Sequence, residues 1–423
     1  MRWLCACAWE SFSRISSNRE IDAKSEWVRC HSVSTPRYLD LPDQVRQVAI
    51  HSHRGAFAAL DSRPASGVCE RRPALLVPGY TGSKEDFLPV LQPLASAGRR
   101  VVAIDMRGQY QTEGGTDPGG YAPAELAADI AAIASAIAAD GPGVHLLGHS
   151  FGGLIAREAA LAGQTPIMSL TLLSSGPASL SGDRAELLEG MLALLDQTGS
   201  SPEQMRATVA MAWDEHLEPQ ARADGVPEHI IEFLRRRMLS NSPTGLAVMA
   251  RYLLTCPDRT PELAKLGEPP ILVLYGENDD AWLPAVQERM ARRLGAQRVC
   301  IPGAGHSPAI EAPETTASTL TAFWRAAEES ERRRSAHRGA DSGYSGEAGT
   351  ADGWATPRRT ARDSAAPGPR ASGSPAERSA APGPAAPTGS SDAAGLPASS
   401  PVPSPSHGRC GSDASLPSAQ RAR

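Results

Sequence analysis

Along the chain, short apolar runs alternate with longer stretches whose apolar positions recur every three or four residues. The runs are ALLVPGY (74–80), RVVAIDM (100–106), GVHLLGHS (143–150), IMSLTLLSS (167–175), ILVLYGE (271–277) and RVCIPG (298–303). Runs that are apolar throughout, rather than at every second position, belong to strands covered on both faces, as in a parallel sheet. The stretches EDFLPVLQPLASAG, AELAADIAAIASAIAAD, GGLIAREAALAG and, late in the chain, PETTASTLTAFWRAAEE have the period of helices packed on such a sheet. Upstream, VRQVAIHS and GAFAALDS, around positions 45–62, read as an antiparallel pair at the leading edge. The pattern predicts an α/β fold with a mostly parallel sheet of about eight strands flanked by helices.

One interval breaks the alternation. From Gly176 to about Gly267 only helical pieces occur, among them RAELLEGMLALLDQ, PEQMRATVAMAWDEHL, PEHIIEFLRRRML and TGLAVMARYLL. An all-helical insertion after the sixth strand belongs above the C-terminal edge of the sheet, where loops converge, as a lid over the substrate. The expected organisation is a flexible leader at 1–40, a core at 41–175 and 268–330, a helical lid at 176–267 and a tail at 331–423.

Composition changes the picture mainly at the ends. The 39 glycines and 36 prolines make roughly 18% of 423 residues, and with serine and alanine they concentrate after residue 330 in AAPGP-like repeats. Such a segment buries too little apolar surface to offset ordering its backbone, so a disordered tail is expected. Its PxxP at Pro384 to Pro387 is what this composition yields by itself. The formal charge is −5, and no long basic face precedes the tail, which disfavours nucleic acid or an anionic membrane as partner. No run approaches 18 apolar residues, so no integral membrane segment is expected. The WLCACAW stretch near the N-terminus is too short for a convincing secretory signal. Seven scattered cysteines without a CxxC pair read as reduced thiols. A cytoplasmic location is the resulting expectation, and oligomeric state is not legible.

The chemistry gathers where GVHLLGHS runs into the next helix through Gly148-His149-Ser150-Phe151-Gly152-Gly153. A G-x-S-x-G string alone is weak, since composition yields roughly 0.3 such matches in a chain like this. Its strand-to-helix setting makes it strong, because a serine on so tight a turn exposes its hydroxyl and needs glycines on either side. A serine hydroxyl is a poor nucleophile at neutral pH and requires a base within hydrogen-bond reach and a third group to orient the base. Suitable partners stand at the ends of the last two core strands. Glu277, Asp279 and Asp280 follow Gly276, and His306 lies in Gly303-Ala304-Gly305-His306-Ser307-Pro308. The large gap between serine and acid accommodates the insertion, and the short one between acid and histidine does not.

Through LLVPGYTGS, DMRGQ, GHSFGG, YGENDD and PGAGHSP, over residues about 45 to 328, the chain resembles the α/β-hydrolase family. The resemblance implies Ser150 as nucleophile, Asp279 as acid and His306 as general base, with an oxyanion hole at the backbone N–H groups of Tyr80 and Phe151. The family's acid usually stands three residues after the strand-terminal glycine, here Gly276, which favours Asp279 over Asp280 and Glu277. Asp183 is the alternative where the acid follows the preceding strand. Two departures stand out. Pro78-Gly79 replaces the His-Gly of many relatives, removing a possible support of the oxyanion loop, and Gln109-Tyr110 replaces a small glycine-containing turn.

The implied activity is an esterase or acyl hydrolase without cofactor or metal, acting on a small-molecule acyl substrate and water through an acyl-enzyme. A serine at position 150, rather than aspartate, disfavours epoxide hydrolases and haloalkane dehalogenases. C–C bond hydrolysis and perhydrolysis share the framework, and a noncatalytic ligand binder is the reading from another class.

Other residues have plainer expectations. His145 and His149 read as packing or loop-bonding side chains, and His51 and His53, without a third ligand, as surface residues. Arg235, Arg236 and Arg237 read as a solvated helix face. The stripe Leu187, Leu188, Met191, Leu192 and Leu195 packs a lid helix on its neighbours, a share of it lining an acyl pocket being left open. Trp282 either covers the pocket or simply packs.

Overall fold

The computed structural model describes residues 34–69, 71–138, 141, 143–197 and 201–342. The chain divides into two compact units, Met1–Ala348 and Gly349–Arg423. The second, with most of the expected tail, lies outside the described residues, as does the leader before Ser34.

Eight strands form one sheet: β1 (Val45–Ser52), β2 (Gly55–Ser62), β3 (Arg71–Val77), β4 (Arg99–Ile104), β5 (Val144–His149), β6 (Ile167–Leu173), β7 (Ile271–Gly276) and β8 (Gln297–Ile301). Their order is β1-β2-β4-β3-β5-β6-β7-β8. Strand β2 runs antiparallel to both neighbours, and from β4 onward every pairing is parallel. The predicted hairpin is present residue for residue, with Ser52 opposite Gly55.

The helices are α1 (Leu88–Ser96), α2 (Pro123–Ala138), α3 (Phe151–Ala162), α4 (Asp183–Gln197), α5 (Pro202–Ala212), α6 (Glu218–Ala223), α7 (Glu228–Ser240), α8 (Pro243–Thr255), α9 (Thr260–Lys265), α10 (Pro284–Leu294), α11 (Pro308–Glu311) and α12 (Pro313–Ser342). Successive strand residues point to opposite faces, so the continuous apolar runs feed two cores. Ala74, Leu76, Leu147 and Leu274 pack with Leu91 and Leu94 of α1 and with Leu320, Phe323 and Trp324 of α12. Leu75, Val77, Leu146 and Val273 face the other way, against Ile130 and Ile133 of α2 and Leu154 and Ile155 of α3. Each fully buried Leu or Ile contributes about 1.5–3 kcal/mol.

Between β6 and β7 the regular elements among the described residues are all helical, α4 to α9, joined in part by a π-helical turn at Trp213–Leu217. The interval is closed at its base. The Ser179 N–H donates to the Cys256 carbonyl at 3.0 Å and the Leu180 N–H to the Leu253 carbonyl at 2.8 Å, so its departing and returning arms meet.

Both expected boundaries shift. Residues 331–342, assigned above to the tail, continue α12. The Glu331-Arg334 run has helical spacing: Arg334 pairs with Glu331 at 3.0 Å and also with Glu268, and the Ser335 hydroxyl donates to Glu331 at 3.1 Å. At the other end, residues 34–40 are not a free leader. Arg237 donates to the Ser34 carbonyl at 2.7 Å, and Arg37 to the Glu311 carbonyl at 2.9 Å.

Candidate active site

Ser150 sits between β5 and α3 with φ 53° and ψ −121°, a region costing a non-glycine residue on the order of 1–3 kcal/mol. The turn is held by its neighbours: the Ser150 N–H donates to the Leu173 carbonyl and the Gly153 N–H to the Ser150 carbonyl, both at 2.9 Å. Glycine is obligatory around it. A Cβ on Gly148 would lie 2.2 Å from the Gly152 carbonyl oxygen, and one on Gly152 would lie 2.4 Å from that of Pro78. The N-terminus of α3 starts at Phe151 and aims its partial positive charge at the same place.

The structure brings the three expected side chains into one line. His306 Nε2 is 3.0 Å from Ser150 Oγ and its Nδ1 is 2.9 Å from Asp279 Oδ1. Asp279 is 2% exposed, so its carboxylate needs donors. It accepts from the Ala281 N–H at 3.0 Å and from Gln287 Nε2 at 2.8 Å. Burial pushes its carboxyl upward, but the adjacent His306 and these hydrogen bonds outweigh it and hold the group below the usual range.

The other acids are engaged elsewhere. Asp280 pairs with Arg184 at 2.7 Å, Glu277 accepts from the Gly303 N–H at 2.9 Å, and Asp183 is exposed at the start of α4. The turn carrying His306 is clamped by Glu311, whose carboxylate accepts from the N–H groups of Gly305 and Ser307.

His149 is a loop-bonding residue as expected. Its Nε2–H donates to the His306 carbonyl at 2.8 Å. Burial first, and then the neighbouring His306, push its imidazole down to about 3, which keeps it neutral. Gln287, on α10, escaped sequence reasoning. A buried glutamine carries no periodic or motif signal that it will face a carboxylate eight residues upstream.

Tyr80 lines the same cavity as Ser150, and Phe151 follows the serine as the first residue of α3. Their amides donate to none of the backbone acceptors in the surrounding turns among the described residues. The Tyr80 side chain points away, its hydroxyl donating to the Leu246 carbonyl at 3.2 Å. Gly79, Tyr80, Thr81 and Gly82 form a tight turn in which the Gly82 N–H reaches the Gly79 carbonyl at 3.2 Å and Thr81 adopts φ 58°. Asp105 and Arg107 hold the loop after β4: Asp105 binds buried Lys84 at 2.8 Å, and Arg107 grips Asp129 with two bonds.

A cavity of about 150 Å³ opens above Ser150. Ser34, Leu180, Arg184, Leu217, Met238 and Leu253 are among its walls, together with Leu187, Leu188 and Met191 of α4. The expected stripe is therefore divided: Leu192 and Leu195 are buried in the packing of the helix, and the other three face the cavity. Trp282 packs against Gly176 and donates to the Ala178 carbonyl at 3.0 Å.

Two expectations about charged and polar residues are resolved. Arg235 and Arg236 lie on an exposed face, but Arg237 does not. It is 1% exposed and bound to Asp86 at 2.7 Å, because α7 turns this one position toward the core. His51 and His53 are exposed. Among the described residues, no group of three metal-ligating side chains converges and no helix is long and apolar enough to cross a membrane.

Residues 74–319 match the model of the alpha/beta hydrolase family. Similar curated proteins include a candidate carbamate hydrolase, RutD, of Variovorax paradoxus (strain S110). It is 35% identical over 133 residues, which make 31% of this chain and 48% of that protein. Another is the dihydrolipoyllysine-residue acetyltransferase component of the acetoin cleaving system of Pseudomonas putida, 26% identical over 60% of this chain and 63% of its own. The chain thus spans about half to under two thirds of the length of these relatives. Among solved structures, a malate-bound thermophilic esterase from Thermogutta terrifontis aligns with TM-score 0.52 and 25% identity, over 67% of this chain and 99% of that one. The enol-lactonase from Burkholderia xenovorans LB400 shares the fold at TM-score 0.52 and 18% identity, over 65% and 99% of the two chains. With a family match over more than half its length, laid on this sheet order, the chain belongs to the alpha/beta hydrolase family.

Proposed function

We propose that this chain is a serine hydrolase that cleaves a short or medium carboxylic ester, or a related acyl compound, through an acyl-enzyme intermediate. The observation that carries the reading is the unbroken hydrogen-bond line from Ser150 through His306 to Asp279, at 3.0 and 2.9 Å. In this arrangement Asp279 accepts the Nδ1–H of His306, which leaves Nε2 free to take the hydroxyl proton as Ser150 Oγ attacks the acyl carbon. The carbonyl oxygen becomes an oxyanion, which the N–H groups of Tyr80 and Phe151 receive in this reading. His306 then gives its proton to the leaving oxygen. A water, deprotonated by the same imidazole, hydrolyses the acyl-enzyme and returns Ser150 to its starting state.

The helices α4 to α8 act as the lid of this site. Their apolar side chains receive the acyl chain, and a cavity of about 150 Å³, below the usual range of about 300–1,000 Å³ for drug-sized ligands, supports a short one. The test is a turnover panel of acyl esters, thioesters and β-diketones with Ser150→Ala as blank, alongside fluorophosphonate labelling. The expected result is ester cleavage lowered at least about 10⁴-fold in the variant, with an adduct that requires Ser150. A folded wild-type chain that neither turns over the panel nor takes the label is a binder, not a hydrolase.

A further inference from the structure

We infer that Gln109 is a positioning residue for the oxyanion donor, holding the Gly79–Tyr80 peptide so that its N–H faces the oxygen of the carbonyl attacked by Ser150. The inference rests on the serine-hydrolase reading and adds a residue to it. Gln109 is 1% exposed and both ends of its side-chain amide are engaged. Oε1 accepts from the Met106 N–H at 3.1 Å, and Nε2 donates to the Gly79 carbonyl at 2.9 Å. Because one partner is solely a donor and the other solely an acceptor, the orientation of the amide is fixed. The backbone of Gln109 is tied as well, its N–H donating to the Met106 carbonyl at 2.9 Å and its carbonyl accepting from Thr112 at 2.8 Å.

The consequence follows from peptide geometry. In a trans peptide the carbonyl and the N–H point in opposite directions, so anchoring the Gly79 oxygen to Gln109 directs the Tyr80 N–H to the other side. Gly79 itself abuts the nucleophile. A Cβ built on Gly79 would stand 3.1 Å from Ser150 Cβ and 3.5 Å from Ser150 Oγ. The turn does not secure this orientation well by itself. Its own closing bond, from the Gly82 N–H, is 3.2 Å long, and Thr81 occupies a left-handed conformation unfavourable for a β-branched residue. Pro78 offers the loop neither a backbone N–H nor a side-chain donor. Gln109 supplies a second and shorter bond to the Gly79 carbonyl from the loop after β4, while standing outside the lining of the cavity. Its loss therefore weakens stabilisation of the transition state and leaves ground-state binding intact.

The test compares full-length wild type with Gln109→Met, which keeps the shape and loses the donor, and with Gln109→Glu, which keeps the acceptor for Met106 but as a carboxylate cannot donate to Gly79. At pH 8 each variant is expected to lose about 10- to 100-fold in kcat, up to the loss of a whole oxyanion donor, with KM within about twofold. A trifluoromethyl ketone of the preferred acyl chain, whose adduct places an oxyanion in the hole, is expected to weaken by the same factor. A non-electrophilic ether of the same shape keeps its affinity. Folding is followed by circular dichroism and thermal midpoint, and if one variant fails to fold the other carries the comparison. A folded variant with kcat within twofold of wild type overturns the inference, as does a kcat loss in which ketone and ether weaken alike. A wild-type chain without Ser150-dependent turnover overturns the hydrolase reading itself and this inference with it, a result distinct from active wild type with unaffected variants.

Discussion

Ser150 occupies its strained backbone because nothing larger than hydrogen fits at positions 148 and 152. Gly148→Ala would place a methyl carbon 2.2 Å from the Gly152 carbonyl oxygen, so the elbow must open. The expected outcome is a loss of several kcal/mol of stability, or a folded chain without Ser150 labelling, checked by urea unfolding and fluorophosphonate gel. A second prediction concerns the buried ions beneath the sheet. Glu328 of α12 accepts from Arg99 at 2.9 Å and lies 3.1 Å from His145 Nε2. Burial works to raise the Glu328 carboxyl, but the bonds from His145 and Arg99 prevail and bring it down to about 2, while burial lowers His145 to about 4. Between their ordinary values and these, the unfolded chain binds more protons than the folded one. Stability is therefore complete above about pH 6.5 and falls as pH drops toward 2. In Glu328→Gln the loss between pH 7 and pH 3 is expected to shrink by on the order of 2 kcal/mol, measured by urea unfolding at the two pH values. That Ser150, His306 and an acid after Gly276 would converge was legible in the sequence, because each stands at the end of an apolar run with glycines marking the turn, while the choice of Asp279 among Glu277, Asp279 and Asp280 came from the family resemblance. Gln109, Gln287 and Glu328 were not, since an amide or carboxylate takes its role from the loop it meets in space.

At the scale of elements, strands and helices were read closely because both periods are strong, and the register shifts fall only at the N-terminal ends of β3 and β5. The C-terminal strand ends moved inward by one to three residues where the apolar run continues into the turn, as with Val77 before Pro78-Gly79, while β3, β4 and β8 begin one to three residues earlier than their runs. Less legible was which face of the inserted helices meets which neighbour. Arg237 shows why: within an arginine run, only the rotation of α7 against the Ser83–Phe87 turn decides that the third guanidinium is buried on Asp86. Removing one partner of such a pair costs about 3–5 kcal/mol, while replacing both with apolar residues is often near neutral. Arg237→Met is therefore expected to lower the thermal midpoint, and Arg237→Met with Asp86→Leu to restore most of it. Helix α4 sets the space above the serine. Met191→Trp is expected to reduce kcat/KM at least tenfold for hexanoyl and longer esters and to spare acetyl esters, read from an acyl-length series. A uniform loss across the series would remove Met191 from the acyl wall.

For the molecule as a whole, the last helix is part of the fold. It seals one face of the sheet with Leu320, Phe323 and Trp324 and brings Glu328 to β4 and β5. A chain ended after Ser342 is expected to match the full chain in thermal midpoint and turnover, whereas one ended after Ala312 is expected not to fold, as judged by circular dichroism and gel filtration. The paired backbone bonds at Ser179 and Leu180 bear on how such molecules diversify. Whatever lies between them departs and comes back at a single point, yet it is also tied to the turns beneath through the Arg237–Asp86 pair and the Tyr80–Leu246 bond. A segment transplanted there from a relative must therefore bring matching partners at both places, or the turns it rests on lose theirs.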